Sequence, residues 1–238
     1  MKTLGIIPAR GGSKGIPNKN LRELAGKPLL AYALEAANAS GVIDRLILST
    51  DSAEIADLGR KLGLEVPFMR PAELAADDSP MLDVLQHAVA QLEREAWRPE
   101  LIVLLQPTSP LRRAEHIREA VELLKSGNYD SAVSVVEIPS LFAPQKAMAI
   151  RDGLLTFWAA EGKEITRRQQ TETAYAREGT VYACRRDVLM DKGNFYGERC
   201  APYLVPPEMA LSLDTMDDWR EAEERIAANQ KAPASADK

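Results

Sequence analysis

The stretch Leu4-Gly5-Ile6-Ile7-Pro8-Ala9-Arg10-Gly11-Gly12-Ser13-Lys14-Gly15-Ile16-Pro17-Asn18-Lys19-Asn20 decides the fold of this chain. Leu4 to Ile7 is a short apolar run that predicts a buried strand. It empties into a segment of glycines, prolines, Arg10, Lys14 and Lys19. Gly11, Gly12 and Gly15 let backbone N–H groups approach an oxyanion with no Cβ in the way, and successive N–H groups form a concave nest for negative charge. Arg10, Lys14 and Lys19 add long-range attraction, so the segment is an anion cradle. A dinucleotide fingerprint needs Gly-x-Gly-x-x-Gly, and a P-loop ends in Gly-Lys-Ser/Thr before a helix; neither template fits here. A cradle after the first strand of an α/β pattern belongs where such sheets bind ligands, outside the carboxyl ends of the strands.

The totals set limits. A chain of 238 residues can bury one large core. Hydrophobic content of 45% and charged content of 27% are those of a globular protein. The balance of 35 acidic against 30 basic residues gives a formal charge of -5, which argues against a polyanion-binding surface for nucleic acid or an acidic membrane. Any basic site must be local. Cys184 and Cys200 are the only cysteines, too few for a disulfide framework or a zinc site. The start, Met1-Lys2-Thr3, runs directly into a strand with no signal-peptide pattern, and no apolar run approaches the roughly 20 residues of a membrane span. These features predict a cytoplasmic protein.

Along the chain the pattern alternates. Lys27 to Ala37 carries apolar residues at helical spacing, with Pro28 suited to the first turn and Gly41 as terminator. Arg45 to Thr50 predicts a second buried strand, followed by a helix capped by Asp51 or Ser52 and ending at Gly63. Leu64 to Val66 predicts a short strand, and two prolines hold Arg70 on a loop. Met81 to Arg94 is an amphipathic helix, and Leu101 to Leu105 is the most apolar strand. That strand stops in Gln106-Pro107-Thr108-Ser109-Pro110, which puts Gln106, Thr108 and Ser109 on the same rim as the opening loop. A helix over Ala114–Lys125 and a strand over Ser131–Glu137 follow. His87 and His116 fall on helices with no metal-ligand spacing around them, and are structural.

From Ile138 to Gly179 the alternation is lost. Such a long excursion in a compact domain predicts a functional or interface element, here a β-rich flap that also dimerises. Thr180 to Cys184 resumes a strand, Asp187 to Met190 a short helix, and Asn194 to Gly197 a turn. The last strand spans Pro202 to Val205, and a final helix ends near Ala228. The expected organisation is one α/β domain over 1–229, containing the excursion at 138–179, and a disordered tail at 230–238.

Four separated segments share one resemblance. The opening loop, Ser49-Thr50-Asp51-Ser52, Leu105-Gln106-Pro107-Thr108-Ser109-Pro110-Leu111-Arg112, and Asp214-Thr215-x-x-Asp218 together resemble the acylneuraminate cytidylyltransferases, over about residues 2 to 227. The resemblance implies a Rossmann-like three-layer nucleotidyltransferase fold with a mixed, mostly parallel sheet. It also implies transfer of CMP from CTP to the anomeric hydroxyl of an acidic keto sugar, release of pyrophosphate, a need for Mg²⁺, and a homodimer. Arg10, Ser13, Lys19 and Asn20 fall on positions that bind the CTP phosphates and nucleotide, with Lys14 as a further candidate. Arg70 falls near the cytosine and Ser79 near the ribose or base; the alternative for both is a solvated loop residue. Gln106 falls between nucleotide and sugar. Lys146, Arg168, Gln169 and the pair Phe195-Tyr196 resemble the acid-sugar pocket, with Tyr182 on the same grounds; for the aromatic pair, dimer packing is the open alternative.

Asp214 is the implied carboxylate for Mg²⁺, a hard cation that shares oxygen ligands with phosphates and water. The family's usual Asp-x-Asp reads Ser212-Leu213-Asp214 here, so one anionic ligand is replaced by a hydroxyl. Asp217 or Asp218 could compensate, and Asp218 has the alternative role of helix-start electrostatics. Glu178 stands where relatives often have Asn, an acid that could alter the sugar pocket. Nonulosonic acids of sialic, legionaminic or pseudaminic type are the expected acceptors. Two alternatives stay open: a different sugar acceptor, and a non-catalytic nucleotide-binding relative.

Overall fold

The computed structural model describes residues 1–164 and 172–231, with side chains up to residue 229. In chain order it contains β1 (Thr3–Pro8), the paired dipeptides β2 (Glu23–Leu24) and β3 (Lys27–Pro28), α1 (Leu29–Ser40), β4 (Arg45–Ser49), α2 (Ala53–Lys61), α3 (Met81–Arg94) and β5 (Leu101–Leu104). There follow α4 (Ala114–Lys125), β6 (Ser131–Glu137), the hairpin β7 (Met148–Arg151) and β8 (Leu154–Phe157), β9 (Tyr175–Arg185), α5 (Arg186–Met190), β10 (Cys200–Leu204) and α6 (Met216–Lys231). The central sheet has the order β10-β6-β9-β5-β1-β4. All its strands run parallel except β9, which lies antiparallel between β5 and β6. This is the mixed, mostly parallel sheet expected from the sequence.

The strand sequences explain the layers. In β1 and β5 every residue is buried, because helices cover both faces. One face packs under α1, α2 and α4 through Ile7, Leu48, Val103 and Leu105. The other packs under α3 and α5 through Leu4, Ile6, Ile102 and Leu104. Each such side chain contributes roughly 1.5–3 kcal/mol by leaving water. A third cluster gathers Ile16 of the opening loop, Leu111, Leu213 and Trp219 of α6, so the end of the chain closes over the rim where the cradle lies.

Several boundaries differ from the sequence expectation for definable reasons. Lys27 and Pro28 pair with Glu23 and Leu24 instead of starting the helix, and α1 begins at Leu29. Leu64 to Val66 makes only one parallel bridge, Ile47 with Glu65. β9 begins at Tyr175 rather than Thr180, so the end of the expected excursion belongs to the central sheet. The early half of β9 is half exposed and polar, which hid it from an apolar-run criterion. Ser212 to Asp214 belongs to no strand; one link to the rim is the bond from the Leu213 N–H to the Thr108 carbonyl, 2.9 Å. Helix α6 runs past Ala228 to Lys231, and the rest of the expected tail lies outside the described residues. Among the described residues no helix is long and apolar enough to cross a membrane.

Candidate active site

The rim at the carboxyl ends of β1, β4 and β5 encloses a cavity of about 410 Å³ lined by Arg10, Ser13, Lys14, Lys19, Asn20, Arg70, Gln106 and Asp214 among others. The opening loop is fixed at both ends. Asn20 is buried and its Nδ2 donates to the Arg10 carbonyl at 3.0 Å, which closes the loop on itself. The Gly11 N–H donates to Asp51 Oδ1 at 3.0 Å, so it is engaged with the start of α2 rather than offered to an anion. Gly11 and Gly12 line a smaller neighbouring cavity on the α2 side. Ser52, not Asp51, caps α2, accepting from the Ile55 N–H at 3.3 Å.

The loop is also locked to the Asp214 segment. Lys19 Nζ donates to the Leu213 carbonyl at 2.7 Å. Gly15 lies so close that a Cβ there would overlap the carbonyl oxygen of Asp214. Gly15→Ala is therefore expected to lower turnover about 100-fold, since pushing the two segments apart by an ångström misaligns everything they hold. Steady-state kinetics beside a thermal melt would check this; overpacking of this kind costs about 1–3 kcal/mol, so the variant should still fold.

Charge in the cavity is divided. Burial pushes the Lys19 ammonium below its ordinary range, with Asp214 opposing and Arg10 adding to the shift. Arg10 forms an ion pair with Asp77 at 2.6 Å, and Lys14 pairs with the same carboxylate. The hydrogen bonds from Lys14 and then Arg10 hold Asp77 below the usual carboxylate range. Arg70 is 5% exposed and donates to the carbonyls of Ser49 at 3.2 Å and Leu74 at 3.4 Å, stitching its loop to the end of β4. Burial lowers its pKa, with Asp51 opposing. Ser79 does not line the cavity; its hydroxyl donates to the Glu73 carbonyl at 2.9 Å and shapes the same loop.

The sugar-side candidates are more dispersed. Tyr182 and Phe195 meet edge to face with centroids 6.3 Å apart. Both join the apolar cluster that contains Met81, and Met81 lines the cavity. Tyr196 is exposed and carries the Arg177 guanidinium 5.7 Å above its ring. Lys146 sits in the turn Pro144–Lys146 of the excursion, away from the cavity lining. Arg168 and Gln169 lie outside the described residues. His87 stacks edge-on against Phe68, and His116 Nδ1 accepts from the Arg113 N–H at the start of α4; neither lines the cavity.

For a metal, the donors at the cavity are the Asp214 carboxylate and the Ser212 hydroxyl, both exposed there. Asp218 is already used. Its Oδ2 accepts from the N–H groups of Asp214 (3.0 Å) and Thr215 (2.7 Å), while Thr215 Oγ1 accepts from the Asp218 N–H at 3.2 Å. That reciprocal pair is a capping box at the start of α6. The helix-start role thus accounts for Asp218, whose pKa these bonds, the Thr215 N–H first, hold down. Among the described residues no group of three or more His, Cys, Asp or Glu could hold a metal alone. One carboxylate plus a hydroxyl suits Mg²⁺ shared with phosphates, because Mg²⁺ is usually held by one or two carboxylates with substrate oxygens and water.

The fold defines a class. It is shared with CMP:2-keto-3-deoxy-manno-octonic acid synthetase, solved in complex with CTP (TM-score 0.74, 17% identity, 96% of this chain and 100% of that chain). It is shared also with 4-diphosphocytidyl-2C-methyl-D-erythritol synthase from Anaerococcus prevotii (TM-score 0.60, 14% identity, 95% and 98%). This is the nucleotidyltransferase architecture. The chain belongs to the cytidylyltransferase family, whose pattern matches residues 4–228. It is 33% identical to the CMP-N,N'-diacetyllegionaminic acid synthase of Legionella pneumophila over 98% of this chain and 99% of that protein. It is 30% identical to the pseudaminic acid cytidylyltransferase of Campylobacter jejuni over 92% and 93%. It is 33% identical to the N-acylneuraminate cytidylyltransferase of Streptococcus agalactiae over 92% of this chain and 52% of that longer protein.

Proposed function

We propose that this enzyme transfers CMP from CTP to the anomeric hydroxyl of a nonulosonic acid, of sialic, legionaminic or pseudaminic type, with release of pyrophosphate. The observation that carries this is the convergence of Arg10, Lys14, Lys19, Gln106 and Asp214, from three distant segments, on one cavity. A sugar hydroxyl is a weak nucleophile and a triphosphate repels it. Arg10, Lys14 and Lys19 would neutralise the phosphate oxygens and the departing pyrophosphate, while Gln106 sets the acceptor in line with the α-phosphorus. Asp214, with Ser212 beside it, would hold Mg²⁺; the bound metal would supply further charge neutralisation and lower the pKa of a coordinated hydroxyl. Incubation with CTP, Mg²⁺ and a panel of nonulosonic acids should release pyrophosphate with at least one of them. Silence with every acid, and turnover with another sugar, would overturn the acceptor class.

Asp77 sits on two of the three cations that this reading gives to the phosphates, Arg10 and Lys14. Asp77→Asn is expected to tighten CTP binding a few-fold at most, since solvent screens an exposed ion pair. Calorimetric titration with CTP would check it; weaker binding would show that the carboxylate aligns the cations instead of competing for the site.

The excursion suits a homodimer. Phe142, Ile150, Leu154, Leu155 and Trp158 are each at least 66% exposed, an apolar surface on the hairpin and its flank that a second copy would cover. Leu155→Glu with Ile150→Glu is expected to halve the mass measured by light scattering. An unchanged mass would place the interface elsewhere. The two unpaired thiols, Cys184 buried and Cys200 exposed, fit a reducing cytoplasm.

A further inference from the structure

The end of β5 is tied to β9 by one buried cation. Arg112 is 5% exposed, and its guanidinium gathers three backbone carbonyls. Nη2 donates to Gln106 at 2.6 Å and Gly179 at 3.2 Å, and Nε donates to Thr180. Nη1 is buried without a partner among the described residues. The Gly179 and Thr180 carbonyls need a donor because β9 is irregular there. Val133 of β6 faces Tyr182 but Val135 faces Arg177, so Ser134 stands opposite the whole bulge from Glu178 to Val181. Ser134 Oγ holds one side of that bulge, donating to the Glu178 carbonyl and accepting from the Val181 N–H, both at 2.9 Å. Arg112 holds the other. Pairing of β5 with β9 stops at Leu104 and Tyr182, and the guanidinium takes the place of a continuing strand.

The bulge in turn touches Gln106. A Cβ on Gly179 would stand 2.8 Å from Gln106 Oε1 and 2.6 Å from Ser109 Oγ, so the Gln106 side chain rests on the bare backbone of the bulge. Glu178 does not project toward an acceptor. Its carboxylate turns back onto Thr180, accepting from the N–H at 2.9 Å and from Oγ1 at 2.8 Å, and it is the acid whose field supports the Arg112 charge. Burial pulls that guanidinium down to about 10 against the pull of Glu178. Bulges beside active sites re-aim side chains, and this one has a fixed cation behind it.

We propose that Arg112 is the positioning residue that aims the Gln106 side chain, acting through the Glu178–Val181 bulge without touching substrate. The inference rests on the cytidylyltransfer reading for its kinetic effect, and on geometry alone for its structural one. A lysine cannot bond three carbonyls in a plane. Arg112→Lys should therefore lower kcat/KM for the acid on the order of 10- to 100-fold, while the KM for CTP stays within about twofold of wild type. In a Gln106→Ala background the same change should cost almost nothing, since residues acting as a unit are not additive. Gly179→Ala should behave alike, and covers the case in which Arg112→Lys does not fold. Additive losses, or equal damage to the CTP and acid parameters, would overturn the proposal. In the nucleotide-free enzyme, the side-chain amide signals of Gln106, assigned by their loss in Gln106→Ala, should shift in Arg112→Lys; unmoved signals would overturn it. If wild-type enzyme turns over no acid, the functional reading fails, and the amide signals still decide whether Arg112 positions Gln106.

Discussion

Lys19→Met is expected to lower kcat/KM for CTP on the order of 10²- to 10³-fold, the usual cost of removing one preorganised donor from a site where charge develops. The thermal midpoint at neutral pH is expected to stay level or rise. The first expectation follows from position: Lys19 is half-buried, lines the cavity between Arg10 and Asp214, and is held by the Leu213 carbonyl at 2.7 Å, so its ammonium is oriented before any ligand arrives. The second follows from the sign of the pKa shift. Burial disfavours the charged form in the folded chain, so the folded pKa lies below the ordinary lysine value. At neutral pH the lysine is charged in both states, and folding bears the desolvation. That cost disappears only as pH rises through the folded and then the unfolded pKa. Methionine removes the charge at every pH, and what is lost is one bond to the Leu213 carbonyl. A variant that melts well below wild type, or that keeps its kcat/KM, would show that Lys19 serves the fold and not the phosphates.

Much of this arrangement was legible in the residues because its signals are local. The apolar runs of β1 and β5, the period of α3 and α4, and the glycine-rich break after β1 each depend on a few neighbouring positions, and α3, α4 and β6 match their expected bounds residue for residue. What escaped depends on contacts between distant segments. Gly15 reads as one of three cradle glycines, and its close approach to the Asp214 carbonyl is seen only in the fold. Asp77 belongs to no motif in the sequence, and only the fold lays it across Arg10 and Lys14. Glu178 reads as a change in the sugar pocket, whereas its carboxylate folds back onto Thr180. The polar start of β9 has no periodic apolar face to mark it, because the bulge at Glu178–Val181 interrupts the alternation on which strand recognition relies.

The second large effect concerns the acid beside the missing one. Ser212 and Asp214 flank Leu213, which is fully buried, and both neighbours line the cavity although they belong to no strand. The backbone of Asp214 is fixed from two sides, by Asp218 Oδ2 on its N–H and by Gly15 against its carbonyl, leaving its carboxylate free to face the cavity. Asp214→Asn keeps that shape and removes the charge. Turnover is expected to fall at least 100-fold, with Mg²⁺ affinity in the presence of CTP falling in parallel by calorimetry, since Mg²⁺ at such sites is held by one or two carboxylates. Ser212→Asp is expected to act in the opposite direction, lowering the Mg²⁺ concentration for half-maximal activity about tenfold, the equivalent of about 1.4 kcal/mol. The pair of variants separates two roles that a single loss would confuse. If Asp214→Asn keeps full activity, the metal assignment fails. If Ser212→Asp leaves the Mg²⁺ requirement where it was while Asp214→Asn abolishes turnover, then Asp214 alone meets the protein's share of the coordination, and the hydroxyl at 212 marks a site that works with one carboxylate.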